Sequence, residues 1–152
     1  MKLVFAVSAA LAAMTGVLCG TALGADVPKN VNTINGTVPP GEVAGLVDVT
    51  TMLDTIDGNG NQIVVTKGTR KAGTRVKIHI HEHGGHTCVL TGEITDFIEG
   101  QEPKKFPAGT CYYMPPNVPM SAANLGTVDA VLIDNFIVPK GEPTITILEH
   151  SH

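Results

Sequence analysis

From Gln62 onward the chain is a succession of short runs rich in Val, Ile and Thr, separated by Gly- and Pro-containing breaks: "QIVVTKG", "TRVKIHIHEHGG", "TCVLTGEITDFIEG", "TCYYMPPN" and "AVLIDNFIVPKG". Their lengths suit strands, and none carries an apolar stripe at the helical period. Many short strands with turn punctuation predict an all-β sandwich or barrel. Residues 26–45 are rich in Gly, Pro and Asn and show no sustained period, so they read as an extended arm. "LVDVTTMLDTI" is ambiguous between arm and strand, and "DGNGN" after it is a turn by composition. The division expected is an arm over residues 26–60 and a barrel over 61–152.

The first 25 residues have one cation, Lys2, then a long apolar run and a small-residue close before Asp26. That is the layout of a secretory signal peptide. A retained anchor is the competing reading. A lipoprotein on Cys19 is disfavoured by "GVLC", which lacks small residues before the cysteine. No later segment approaches the ~20 apolar residues of a spanning helix. The mature chain is therefore expected in the periplasm or outside the cell, free of the membrane after cleavage.

Without the leader, one compact domain remains, carrying 9 Lys plus Arg against 14 Asp plus Glu and no Trp. The acidic balance and the lack of a basic run argue against nucleic acid and anionic membrane as partners. Cys88 and Cys111 are an even pair in a chain read as exported, where oxidation is permitted.

"HIHEHGGH", residues 79–86, holds four of the six histidines. In "RVKIHIH" strict alternation places Arg75, Lys77, His79 and His81 on one face and Val76, Ile78 and Ile80 on the other. His79 and His81 then stand ~6.7 Å apart along one strand, pointing the same way. Imidazoles so placed can share one ion. Their alternative is a polar site in the barrel with no metal. Lys77 and Arg75 are read as a rim that greets an anion or is simply solvated. Of Tyr112 and Tyr113, which alternate, one at most faces a pocket, and Tyr113 is the candidate. His83 is expected in solvent. His150 and His152 form a tail or a weaker metal-catching site.

Residues 73–124 resemble the cupins. The resemblance rests on Gly73, five residues, then His79-Ile80-His81 and later Gly92, followed by Gly109, five residues, Pro115-Pro116-Asn117, Met120 and Asn124. It implies a jelly-roll β-barrel with one transition metal on His79 and His81. In place of the family's glutamate, counting back from Gly92 gives Gly85, while counting forward from His81 gives His86. His86 can ligate only if "HGGH" absorbs one residue. The family's last histidine is Met120, a thioether that favours copper, above all Cu(I). Iron, manganese, nickel and zinc stay open, and Met120 as plain filling is the competing reading.

The resemblance also puts Cys88 and Cys111 on adjacent antiparallel strands, which implies a disulfide. Buried free thiols or a thiolate ligand are the alternatives. The apolar face of Val76, Ile78 and Ile80 calls for a cover, either the N-terminal arm or a second subunit. A homodimer is expected on that ground. The two functional readings are an exported binder of metal or of a small ligand, slightly favoured, and a metal-dependent oxygenase or related enzyme. The lack of an evident inward carboxylate weighs against the enzyme.

Overall fold

The computed structural model describes residues 30–150; the leader expected over residues 1–25 and the terminal His152 lie outside them. The described residues form no helix and twelve strands in two sheets. One sheet runs in the order β2 (Val47–Ile56), β3 (Asn61–Arg70), β11 (Ala130–Pro139), β6 (Gly85–Thr91) and β9 (Cys111–Met114). The other joins β1 (Glu42–Val43), β4 (Thr74–Arg75), β10 (Met120–Ala123), β5 (His79–Ile80) and β12 (Thr146–Ile147), with β7 (Glu93–Ile98) beside β10 and β8 (Lys104–Pro107) beside β7. This is the all-β jelly-roll architecture expected.

Period-two patterning builds the interior. Along β11, Ala130, Leu132, Phe136 and Val138 turn inward and are buried, and Val89, Ile94, Tyr112 and Met114 meet them from neighbouring strands. The ambiguous segment resolves as a strand: β2 pairs with β3 from Val47↔Thr69 to Ile56↔Gln62. The extended arm therefore gives way to sheet well before residue 60.

A second, smaller core decides where the histidines point. Ile78 and Ile80 are buried against Ile34 of the arm and Leu148 near the C-terminus, with Val31 and Phe97 packed alongside. The arm thus packs on Ile78 and Ile80, one of the two covers expected for this face. Backbone bonds fasten the layer: Leu148 N–H and Glu149 N–H both donate to Ile78 O, and Val31 N–H donates to Leu148 O.

The alternation expected through residues 75–81 breaks. Between β4 and β5, residues 76–78 leave the ladder and the phase slips. Val76 lines the barrel cavity together with His79 and His81. Arg75 is buried in an ion pair with Glu149, its Nη1 and Nη2 donating to the two carboxylate oxygens at 2.6 and 2.8 Å. Glu149 also accepts the Ile78 N–H at 2.8 Å. The fork spends Arg75 on structure and holds the Glu149 carboxyl below its ordinary range.

Cys88 and Cys111 face each other in register on β6 and β9, and their sulfurs are bonded. The bridge closes the five-stranded sheet at its β9 edge.

The second core predicts a measurable asymmetry. Ile78→Ala, at a fully buried position, should lower unfolding free energy by about 2–5 kcal/mol in denaturant titration. Ile137→Ala, at a position 59% exposed, should change it by less than about 0.5 kcal/mol. Equal effects would mean that the arm does not pack on the histidine strand.

Candidate functional site

Because Ile78 and Ile80 are anchored in the outer core, His79 and His81 project into the barrel, where each is 4% exposed. His79 Nδ1 lies 2.7 Å from Lys77 O, and His81 Nδ1 lies 2.5 Å from Thr144 O. A carbonyl oxygen can only accept, so each Nδ1 carries the proton and donates it. Both Nε2 atoms are then bare acceptors, and they face each other across 3.1 Å. Two lone pairs at that distance repel unless something positive lies between them.

A proton is poorly suited to that role. Burial, then the neighbouring His81, pushes His79 down to about 3, and burial likewise lowers His81. The pair suits a metal ion: a 3.1 Å separation is compatible with one ion at about 2.0–2.1 Å from each nitrogen. The Lys77 and Thr144 carbonyls fix the tautomer that ligation requires. His81 is further steadied by Phe136, whose ring centroid is 5.1 Å away.

The two imidazoles open into a cavity of about 300 Å³ between the sheets. Its walls are mixed: Leu46, Leu132 and Ile145 on the apolar side, Arg70, Asp96 and Asp134 among the polar groups. Asp134 accepts a 2.6 Å hydrogen bond from Thr87, yet burial still raises its carboxyl above the ordinary range. Asp96 is 3% exposed and neither oxygen makes a hydrogen bond of sound geometry. Burial drives it up to about 7, with the Phe97 amide offsetting this only in part. Burial also raises the Tyr112 phenol at the same wall.

At the level of sequence alone, neither a family model nor a curated protein matches the chain. Solved structures do. A protein with a double-stranded β-helix domain from Klebsiella pneumoniae aligns at TM-score 0.53 and 21% identity, over 79% of this chain and 91% of that one. A cupin-like protein from Thermotoga maritima aligns at TM-score 0.53 and 19% identity, over 66% and 74%. An oxalate oxidase in complex with the substrate analogue glycolate aligns at TM-score 0.54 and 20% identity, over 66% and 54%. The chain has the cupin fold.

Within this cupin barrel the remaining candidates divide. Met120 is 2% exposed, lines the cavity and is the direct cross-strand partner of His79. His86 does not join them. The Gly84 N–H bonds back to His81 O, closing a turn, and Gly84 adopts φ 69°, so the strand resumes with Gly85 inward. His86 consequently points outward and is exposed, opposite Tyr113. The count back from Gly92 was the sound one. A Cβ at Gly85 would come within 2.7 Å of the Phe136 ring, so that ring fills the space a ligand side chain would need.

Tyr113, 65% exposed, also faces outward, and the inward phenol is Tyr112. The phase slip keeps Lys77 out of the cavity wall; its contribution there is the carbonyl that holds His79. His83 is exposed, but its ligand atom and those of Glu82 and Glu142 lie within 4.8 Å of one another, a possible metal-ligand group at the surface. Glu82 in that group already accepts a hydrogen bond from Thr146.

The sequence reading missed Arg70, Asp96, Asp134 and Met114. Parity could have found the two acids: Asp96 falls between Ile94 and Ile98, and Asp134 between Leu132 and Phe136, each on an otherwise apolar phase. The inward carboxylates held to be lacking are therefore present.

The buried Asp96 gives a pH signature. Its carboxyl titrates near 7 when folded against an ordinary 3.8, so the folded chain holds the extra proton between those values. Stability must then fall as pH rises through that window and level off above it. Asp96→Asn should gain on wild type in unfolding free energy as pH rises from about 4 to about 7, by a few kcal/mol at most, and hold that gain at pH 8. A difference that does not vary with pH would show that Asp96 titrates as an ordinary carboxyl.

Proposed function

We propose that this cupin is an exported protein holding one soft transition metal in its barrel, copper favoured, on His79, His81 and the Met120 thioether. One observation carries the reading: two unprotonated Nε2 atoms held 3.1 Å apart by backbone acceptors behind them. Met120 adds a soft donor on the strand beside His79, and Met114, on the same cavity wall, is a second thioether. An imidazole–thioether set with no carboxylate or thiolate at its centre suits Cu(I) better than iron or manganese. The apolar run at the N-terminus and the Cys88–Cys111 bridge support export.

Binding is favoured over turnover by the soft donor set. The second reading, a metal-dependent enzyme acting on a small organic molecule, gains support from Asp96, a buried carboxyl in the same cavity. An oxalate oxidase and a DMSP lyase are among the proteins of similar fold. In that reading the metal would supply Lewis-acid or redox chemistry. His79 and His81 would hold it, Phe136 and Leu132 would exclude water, and Asp96 would keep or release a proton at its carboxyl oxygen.

Competition titration of untagged protein with Cu(I) and Zn(II) tests the metal. His150 and His152 should be replaced by alanine throughout, so that the tail cannot contribute. One equivalent of Cu(I) should bind in the barrel. His79→Ala or His81→Ala should weaken it by at least about 100-fold, beyond the ~10–100-fold typical when a group that hydrogen-bonds to a ligand is changed. Met120→Leu should weaken Cu(I) markedly more than Zn(II). Copper affinity unchanged in the histidine variants would sink the proposal, and equal losses for both metals in Met120→Leu would remove the thioether from it.

A further inference from the structure

Outside the barrel, the described residues bring three side chains able to ligate a metal together at one place on the surface. The donor atoms of Glu82, His83 and Glu142 all lie within 4.8 Å of one another. They come from two separate segments: Glu82 and His83 directly follow His81, and Glu142 lies between β11 and β12. Both segments are held by backbone bonds. His81 O accepts from Gly84 N–H at 3.1 Å and from Asn117 N–H at 3.0 Å, and Glu142 N–H donates to Pro139 O at 3.0 Å. Asn117 Nδ2 donates to Glu82 O, and Thr146 Oγ1 reaches from β12 to Glu82 Oε1 at 3.1 Å. Two carboxylates converge here, yet among the described residues none of the three side chains is in an ion pair. Like charges brought this close repel unless a cation joins them.

We propose that Glu82, His83 and Glu142 form a second metal site, for one divalent ion of the zinc class. The ion ties the turn after His81 to the connection between β11 and β12. The donor set selects it. An imidazole nitrogen with two carboxylate oxygens matches Zn(II), whereas Ca(II) and Mg(II) take oxygen ligands alone and Cu(I) prefers sulfur. Ligands of a tetrahedral ion at about 2.0–2.1 Å stand about 3.4 Å apart, so the three donors need to close by about 1.4 Å or less. His83 and Glu142 are exposed and Glu82 is half-buried, so that adjustment falls to side chains at the surface. Three protein ligands leave the fourth position to water. The place of Glu142 in the chain gives the site its consequence. Two residues on, Thr144 O accepts the Nδ1 proton of His81. An ion on Glu82, His83 and Glu142 fastens that connection beside the ring it orients, and it needs no ion in the barrel.

Calorimetric titration with Zn(II) tests the site, on untagged protein carrying His150→Ala and His152→Ala, with and without His79→Ala and His81→Ala. One zinc equivalent should persist when the barrel histidines are replaced. His83→Ala or Glu142→Gln should weaken it at least about tenfold, the least that even a change beside a ligand is worth. An equal concentration of Ca(II) should not displace it. Bound Zn(II) should also slow amide hydrogen exchange over residues 143–147, and Glu142→Gln should abolish that protection. If the barrel variants fail to fold, His83→Ala and Glu142→Gln, at exposed positions, should still remove one equivalent from the chain with His79 and His81 intact. No bound zinc, displacement by Ca(II), or zinc that is lost with the barrel histidines but kept in both surface variants would overturn the site. Zinc bound without any change in exchange over residues 143–147 would overturn its tie to Thr144. A barrel that takes no copper leaves this inference standing, because neither readout depends on the buried rings.

Discussion

Two hydrogen bonds govern the site: Lys77 O receives the Nδ1 proton of His79, and Thr144 O receives that of His81. Each uses a backbone carbonyl, which cannot rotate away or change protonation state. Together they leave two nitrogen lone pairs facing each other inside a buried cavity, where charging is opposed by burial. Much of the barrel serves to keep those two carbonyls and two rings where they are.

That holding runs outward through layers. β5 is only His79–Ile80, too short to be stable alone, but it is paired on one side by β10 and on the other by β12. The residues of opposite parity, Ile78 and Ile80, are clamped by the arm and by Leu148, while Arg75 and Glu149 tie the start of the segment to the residues that follow β12. The loop that supplies Thr144 O leads directly into β12. One face of the strand thus contributes stability and the other chemistry, and the anchoring of the first positions the second.

The strand content, the convergence of His79 and His81, and the cysteine pair were legible because each depends on period-two spacing or on a motif of fixed length. What failed was phase. The slip across residues 76–78 moved Val76 inward and took Arg75 and Lys77 off the histidine face, and the turn at Gly84 sent His86 out. Neither can be counted from residue spacing, because a bulge or turn changes parity without changing composition. Arg70, Asp96 and Asp134 were hidden for another reason. A charged residue within an apolar alternation reads as a surface position until the strand is known to be covered, and that cover comes from distant segments.

The account turns on which nitrogens are bare, and nitrogen-15 NMR of the imidazoles in metal-free protein at neutral pH reads this directly. Both His79 and His81 should appear as neutral rings with the proton on Nδ1 and an unprotonated Nε2. A proton on Nε2 of either ring, whether as the other tautomer or as an imidazolium, would mean that the pair is satisfied without an ion and would contradict the metal site.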